Sequence, residues 1–229
     1  MDGAQTNNQA HYATSMGRCG IDEAGRGPLA GPVVAAAVIL PDALDLSILA
    51  DSKALSSRQR EDSRDQIISS GAAIGYGWVW PEEIDRLNIH NASLLAMSCA
   101  WEDLLTAAPL NAPVCGTILV DGLFVPPRLR EPPGISLKVE ALVGGDHLIP
   151  EIMAASILAK TARDTWMTGY ARQDPRYGFE RHKGYPTKMH KEAILRHGPS
   201  PIHRRTFRGV LTDSTDQLSR SGGRRGGRP

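Results

Sequence analysis

Val33 to Leu40 reads Val-Val-Ala-Ala-Ala-Val-Ile-Leu, an unbroken apolar run that predicts a buried strand. Ahead of it, a short strand-like stretch from Arg18 closes on the carboxylate pair Asp22-Glu23, and the turn Gly25-Arg26-Gly27-Pro28 follows. A helix is predicted from near Ser56, with Arg58, Arg60, Glu61 and Arg64 on it. A strand over Ala72 to Trp80 comes next, with Gly75 and Gly77 read as points where it bends. Pro81, Glu82 and Glu83 suit a helix's first turn, where a missing N–H costs nothing and acidic groups meet the positive end of the dipole. Asn91 to Ala107 carries Leu94, Leu95, Met97, Trp101, Leu104 and Leu105 at helical spacing. Thr117 to Val120 is a short buried strand ending at Asp121-Gly122, and a proline-rich loop, Pro126 to Gly134, leads to a further strand over Ile135 to Val139. Gly144-Gly145-Asp146 then opens a long helix from about Leu148 to Gln173. Its small residues Ala154, Ala155, Ser156 and Ala159 allow close packing on a sheet, and a last helix spans Thr187 to His197. Strands first, then alternating helices and strands, predict a mixed α/β sheet.

Composition adds boundaries to this picture. At 229 residues, 41% hydrophobic and 22% charged, the chain has ordinary globular proportions and enough length for a full core. No apolar run reaches the roughly 20 residues of a membrane span. Cys19, Cys99 and Cys115 are scattered and odd in number, which fits neither a zinc motif nor a disulfide framework and points to a reducing cytoplasm. Residues 1–17 are polar and predict a mobile leader; 18–210 hold a single folded domain with C-terminal helices. The Arg/Gly-rich residues 211–229 predict a disordered tail. The net charge of +1 is unevenly spread: Arg176, Arg181, Lys183, Lys188, Lys191, Arg196, Arg204, Arg205 and Arg208 face only Glu180 and Glu192 over the same stretch. That bias predicts a polyanionic partner.

Asp22, Glu23, Asp121 and Asp146 each stand by a glycine or turn where a strand ends, so neighbouring strands would bring all of these carboxylates to one sheet edge. Hard cations such as Mg²⁺ and Mn²⁺ take oxygen ligands of this kind. The plainer readings make Asp146 a helix N-cap and Asp121-Gly122 a turn. Gly25-x-Gly27-x-x-Ala30 also fits a dinucleotide fingerprint, but that motif requires a helix directly after the glycines, and Pro28, Gly31 and Pro32 lead into a strand. Lys53 is a phosphate contact or a solvated loop charge. Tyr185, in His182-Lys183-Gly184-Tyr185, is a nucleic-acid platform or a packing residue. His182, His190, His197 and His203 lack the close pairs of a structural zinc site.

Taken in order, Gly20-Ile-Asp-Glu-Ala-Gly-Arg-Gly-Pro-Leu-Ala-Gly-Pro-Val, Asp51-Ser-Lys-Ala-Leu, Val120-Asp-Gly, Gly145-Asp146, Ala154-Ala-Ser-Ile-Leu-Ala-Lys160, Arg163-Asp164 and His182-Lys-Gly-Tyr-Pro-Thr187 resemble the ribonuclease HII family over roughly Arg18 to Val210. The resemblance implies an RNase H-like mixed five-stranded sheet flanked by helices, with a helical C-terminal region. It implies a monomeric endonuclease that cuts the RNA strand of RNA–DNA hybrids and incises 5′ of single ribonucleotides in duplex DNA, leaving 5′-phosphate and 3′-hydroxyl ends. Asp22, Glu23, Asp121 and Asp146 would bind two Mg²⁺ or Mn²⁺ ions. Gly25-Arg26-Gly27 would sense the ribose 2′-hydroxyl, Tyr185 would pack on the deoxyribose past the junction, and Lys53 and Ser156 would contact backbone phosphates. Two positions depart from the family pattern: Leu123 stands where asparagine is common, and Val143-Gly144-Gly145 precedes Asp146 where a lysine is common.

Overall fold

In a computed structural model, residues 17–49, 56–107, 115–127, 129–132, 134 and 136–211 are described. Lys53, the leader up to residue 16 and the tail from residue 212 lie outside them. Gly17, assigned to the leader by its composition, already pairs in the first strand.

The elements are β1 (Gly17–Ala24), β2 (Val33–Ile39), α1 (Ser57–Ser69), β3 (Ala73–Val79), α2 (Pro81–Leu87), α3 (Ile89–Ala107), β4 (Cys115–Asp121), β5 (Lys138–Leu142), α4 (Pro150–Gln173), α5 (Phe179–His182) and α6 (Lys188–His197). The strands form one mixed sheet in the order β3-β2-β1-β4-β5. β1 runs antiparallel to β2 and parallel to β4; β2–β3 is antiparallel and β4–β5 parallel.

The unbroken apolar run of β2 has a geometric cause. Side chains alternate across a sheet, and this strand is covered on both faces. Val33, Ala35, Ala37 and Ile39 join Ala92, Ala96, Ala100, Trp101 and Leu104 of α3. Ala36 and Val38 join Ala154, Ala155, Leu158 and Ala159 of α4 on the other side. The small residues of α4 do bring it close: a side-chain carbon on Gly20 of β1 would lie 2.1 Å from the Glu151 backbone. A third cluster, with Leu29, Ala30, Met167, Tyr177, Phe179 and Ile194, binds the C-terminal helices to the loop between β1 and β2.

Three sequence expectations are corrected. Gly75 and Gly77 do not bend β3; they admit α3, because a Cβ at Gly77 would stand 1.9 Å from the Ala96 carbonyl oxygen. The last strand is Lys138–Leu142, not Ile135–Val139. As an edge strand with Lys138 and Glu140, it carries no continuous apolar signal to mark its bounds. The long helix starts at Pro150 with Ile149 as its N-cap, and a separate 3-10 turn, Gly145–His147, precedes it. Asp146 is therefore no helix cap. Among the described residues, no helix is long and apolar enough to cross a membrane.

Candidate active site

β1 and β4 lie side by side and parallel, with Ile21 paired to Val120, so the next residue on each, Asp22 and Asp121, stands at the same sheet edge. β4 continues in parallel with β5, whose partner for Asp121 is Leu142. Beyond Leu142 the chain turns through Gly144, at φ +72°, into the 3-10 turn that delivers Asp146. One carboxylate oxygen from each of Asp22, Asp121 and Asp146 lies within 4.8 Å of the others. The Asp146 N–H donates to Asp121 Oδ1 at 3.4 Å, tying the turn to the strand end. Asp22 and Asp146 are buried and Asp121 half-buried.

Burial, together with the charges of Glu23 and Asp121, drives the Asp22 carboxyl well above the ordinary carboxylate range. Bonds from the Ser156 hydroxyl and, at 2.7 Å, from the Glu23 N–H oppose that rise. Glu23 stands beside the three aspartates, outside their 4.8 Å circle. Burial raises its carboxyl as well, while Arg26 Nη1, 3.0 Å from Oε1, pulls it back.

A groove of about 430 Å³ opens next to this cluster. Glu23, Gly25, Arg26, Gly27, Ser156 and Tyr185 line it together with Arg60 and Lys160. Every described residue expected to bind substrate thus faces one groove. A Cβ on Gly27 would sit 3.6 Å from Tyr185 Cε1, so loop and ring stand next to each other in the groove lining. Lys160 Nζ lies 5.5 Å from the centroid of the Tyr185 ring. Lys160 was quoted in the sequence only as part of a motif; its spacing of four from Ser156 puts both on one helix face and is the signal that marks it.

Sequence reasoning named, but gave no structural role to, the two residues that shape the loop. Arg163 and Arg204 are fully buried. Arg204 donates to the carbonyls of Gly25, Arg26 and Gly31 at 2.6, 3.0 and 3.0 Å. Arg163 donates to those of Pro32, Lys183 and Ala30 at 2.9, 3.0 and 3.0 Å. Burial lowers both guanidinium groups, Arg204 to about 9. Arg204 therefore does not belong to the exposed basic surface inferred from the charge count. It holds the Gly25-Arg26-Gly27 loop from behind. No local sequence pattern marks this, because every partner of Arg204 is a carbonyl more than 170 positions away.

The histidines form a cluster to which the sequence assigned no role. His182, His190 and His203 gather in the C-terminal cluster, with His190 Nε2 and His203 Nε2 3.0 Å apart. Their other ring nitrogens engage backbone groups, so they form a hydrogen-bonded set and not a zinc site.

A mixed five-stranded sheet ending in a carboxylate cluster, beside a groove with cationic walls, defines the class as a nuclease with the RNase H fold. Comparison with known proteins carries this to the family. The ribonuclease HII family model matches residues 19–210. A ribonuclease HII from Treponema denticola is 50% identical over 196 residues, covering 82% of this chain and 96% of its own length. The solved ribonuclease H2 of Pyrococcus horikoshii OT3 superposes with a TM-score of 0.64 at 26% identity, over 85% of this chain and 95% of that one. Bst-RNase HIII, solved in complex with Mn²⁺, shares the fold with a TM-score of 0.64 at 18% identity, over 92% of this chain and 71% of its own. The chain belongs to the ribonuclease HII family, and it is a ribonuclease.

Proposed function

We propose that this chain hydrolyses the RNA strand of RNA–DNA hybrids and incises duplex DNA on the 5′ side of single embedded ribonucleotides, leaving 5′-phosphate and 3′-hydroxyl ends. The observation that carries the reading is the convergence of Asp22, Asp121 and Asp146 within 4.8 Å, next to Glu23, which lines a groove together with Gly27 and Tyr185. An all-oxygen, largely buried donor set fits Mg²⁺ or Mn²⁺ and disfavours softer ions. Asp22, Asp121 and Asp146 would hold two such ions, with Glu23 completing the set. When bound, the ions supply a water nucleophile at neutral pH and offset the charge that develops in an in-line displacement at phosphorus.

The remaining work falls to the chain's own groups. Ser156 and the Glu23 N–H orient the Asp22 carboxylate beside the other aspartates through the bonds described above. Arg26 holds Glu23. Gly25-Arg26-Gly27 reads the ribose 2′-hydroxyl, since the absence of a side chain at Gly27 lets a sugar approach the backbone closely. Tyr185 presents a flat face to the deoxyribose past the junction. Arg60 and Lys160 neutralise backbone phosphates along the groove, and Ser156 and Lys53 add phosphate contacts. The enzyme acts as a monomer in the cytoplasm, where its three cysteines stay reduced.

The test is cleavage of a DNA duplex carrying one ribonucleotide, with Mg²⁺ or Mn²⁺, by wild type and Asp22→Asn. Metal-dependent cutting 5′ of the ribonucleotide, lost in the variant, is expected. Tight binding without cutting would make the chain a hybrid-binding protein, and cutting of all-DNA duplex would make it a DNA nuclease.

A further inference from the structure

Behind Tyr185 lies a chain of hydrogen bonds whose direction is fixed at both ends. The Ser200 N–H and hydroxyl approach His203 Nδ1 at 2.9 and 2.8 Å. A backbone N–H only donates, so His203 Nδ1 accepts and its proton sits on Nε2. His203 Nε2 then donates to His190 Nε2 at 3.0 Å, which leaves the His190 proton on Nδ1. That proton is given to the Tyr185 carbonyl at 2.9 Å, and a carbonyl only accepts. A second proton on either ring would set two donors against each other. The rings are shielded to match: His190 is fully buried and His203 nearly so. Burial holds both down to about 4.

We infer that His190 and His203 are positioning residues for substrate recognition: their relay anchors the Tyr185 backbone so that its ring holds its place in the groove lining beside Gly27. The inference rests on the reading of Tyr185 as the residue that packs on the sugar past the junction. Three facts support it. The relay ends on the main chain of Tyr185 itself, and the same carbonyl takes a second bond from the Thr187 N–H at 2.8 Å. His182 stacks on His190 at 4.5 Å between centroids and binds the Gly184 N–H, so the residues leading into Tyr185 lean on the same rings. Tyr185 itself is 40% exposed, so contacts of its ring with Lys160 and the Gly27 loop leave part of its position to be set by the backbone. Two apolar residues would fill the space of the imidazoles without burying polar groups, but they would leave the carbonyl with one partner and the ring free to swing.

Two experiments test this. Nitrogen-15 NMR of the wild-type enzyme should show His203 as the Nε2–H tautomer and His190 as the Nδ1–H tautomer, both unprotonated at pH 6. The reverse tautomers, or a charged ring at that pH, would overturn the relay. In steady-state cleavage of a duplex with one ribonucleotide, His203→Leu should raise KM about tenfold with kcat within about twofold of wild type. His203→Gln, whose amide can accept from Ser200 and donate to His190, should restore KM. In a Tyr185→Ala background, which alone should raise KM, His203→Leu should add less than about twofold. Multiplying effects, or a folded His203→Leu enzyme with wild-type KM, would overturn the inference. Unchanged kinetics in Tyr185→Ala alone would instead refute the reading of Tyr185, with the NMR still deciding whether the relay exists. Should His203→Leu fail to fold, the tautomers and His203→Gln carry the test.

Discussion

Gly25 and Gly27 flank one arginine and look alike in the sequence, yet they do different things. Gly25 adopts φ +97°, and a Cβ there would meet Arg163 Nε at 2.2 Å and the Pro32 oxygen at 2.8 Å. Gly27 is at no such angle, and its Cβ would make an ordinary 3.6 Å contact with Tyr185. Gly25→Ala should therefore destabilise by on the order of 1–3 kcal/mol, read as a lower urea midpoint. Gly27→Ala should keep its midpoint and lose cleavage at embedded ribonucleotides by at least about tenfold, because the added methyl occupies the space reserved for the ribose. Equal stability losses would show that the loop's shape, and not its open surface, demands both glycines. The four acidic residues were legible as candidates because each borders a turn. That three of them meet within 4.8 Å was not, since the order of strands in the sheet is set by tertiary packing.

At the level of elements, periodicity located nearly every helix and strand and misjudged those whose packing it could not see. The β2 run was unmistakable because two helices cover it. β5 was misplaced because an edge strand need not be apolar, and the four-residue α5 was missed because it is one turn long. Gly77 carries the physical lesson. Its α-hydrogen faces the Ala96 carbonyl, and the obstruction to a methyl is backbone, which cannot swing aside. Gly77→Ala should force α3 off the sheet and cost about 3 kcal/mol by urea unfolding. Turnover per folded molecule at low temperature should stay near wild type, because no groove residue sits on β3 or α3. If the substitution is silent, α3 does not press on β3 as closely as these distances say.

Across the whole molecule, two clusters of buried polar groups give opposite responses to their surroundings. The aspartate cluster is like-charged and relieved by cations. Mg²⁺ or Mn²⁺ should raise the melting temperature of wild type, and Asp22→Asn should melt higher than wild type without metal while losing most of the metal-induced rise. A metal-induced rise that survives in Asp22→Asn would place the ions elsewhere. That a C-terminal arginine holds an N-terminal loop was invisible in the sequence because those contacts span the fold, and the meeting of three histidines was invisible because they follow no helical or strand period.

The histidine cluster responds to protons. His190 and His203 are held down to about 4 in the fold by burial first, against about 6.5 in an unfolded chain. Above pH 6.5 neither state binds a proton there, and the pair exerts no pH effect. Between 6.5 and 4 the unfolded chain takes up protons that the folded one refuses, so stability falls as the pH falls. By pH 5 the loss should be about 2 kcal/mol for each histidine. Asp22 and Glu23, raised by burial, pull the other way, because the folded state binds their protons more readily than the unfolded one. The histidine contribution is therefore isolated by difference. Urea unfolding of wild type and His203→Gln at pH 7.5 and pH 5 should show the variant losing about 2 kcal/mol less than wild type over that interval. Parallel losses in the two proteins would mean that His203 takes up its proton in the folded state at an ordinary pH, and a charged ring there cannot donate to His190 and accept from Ser200 at once.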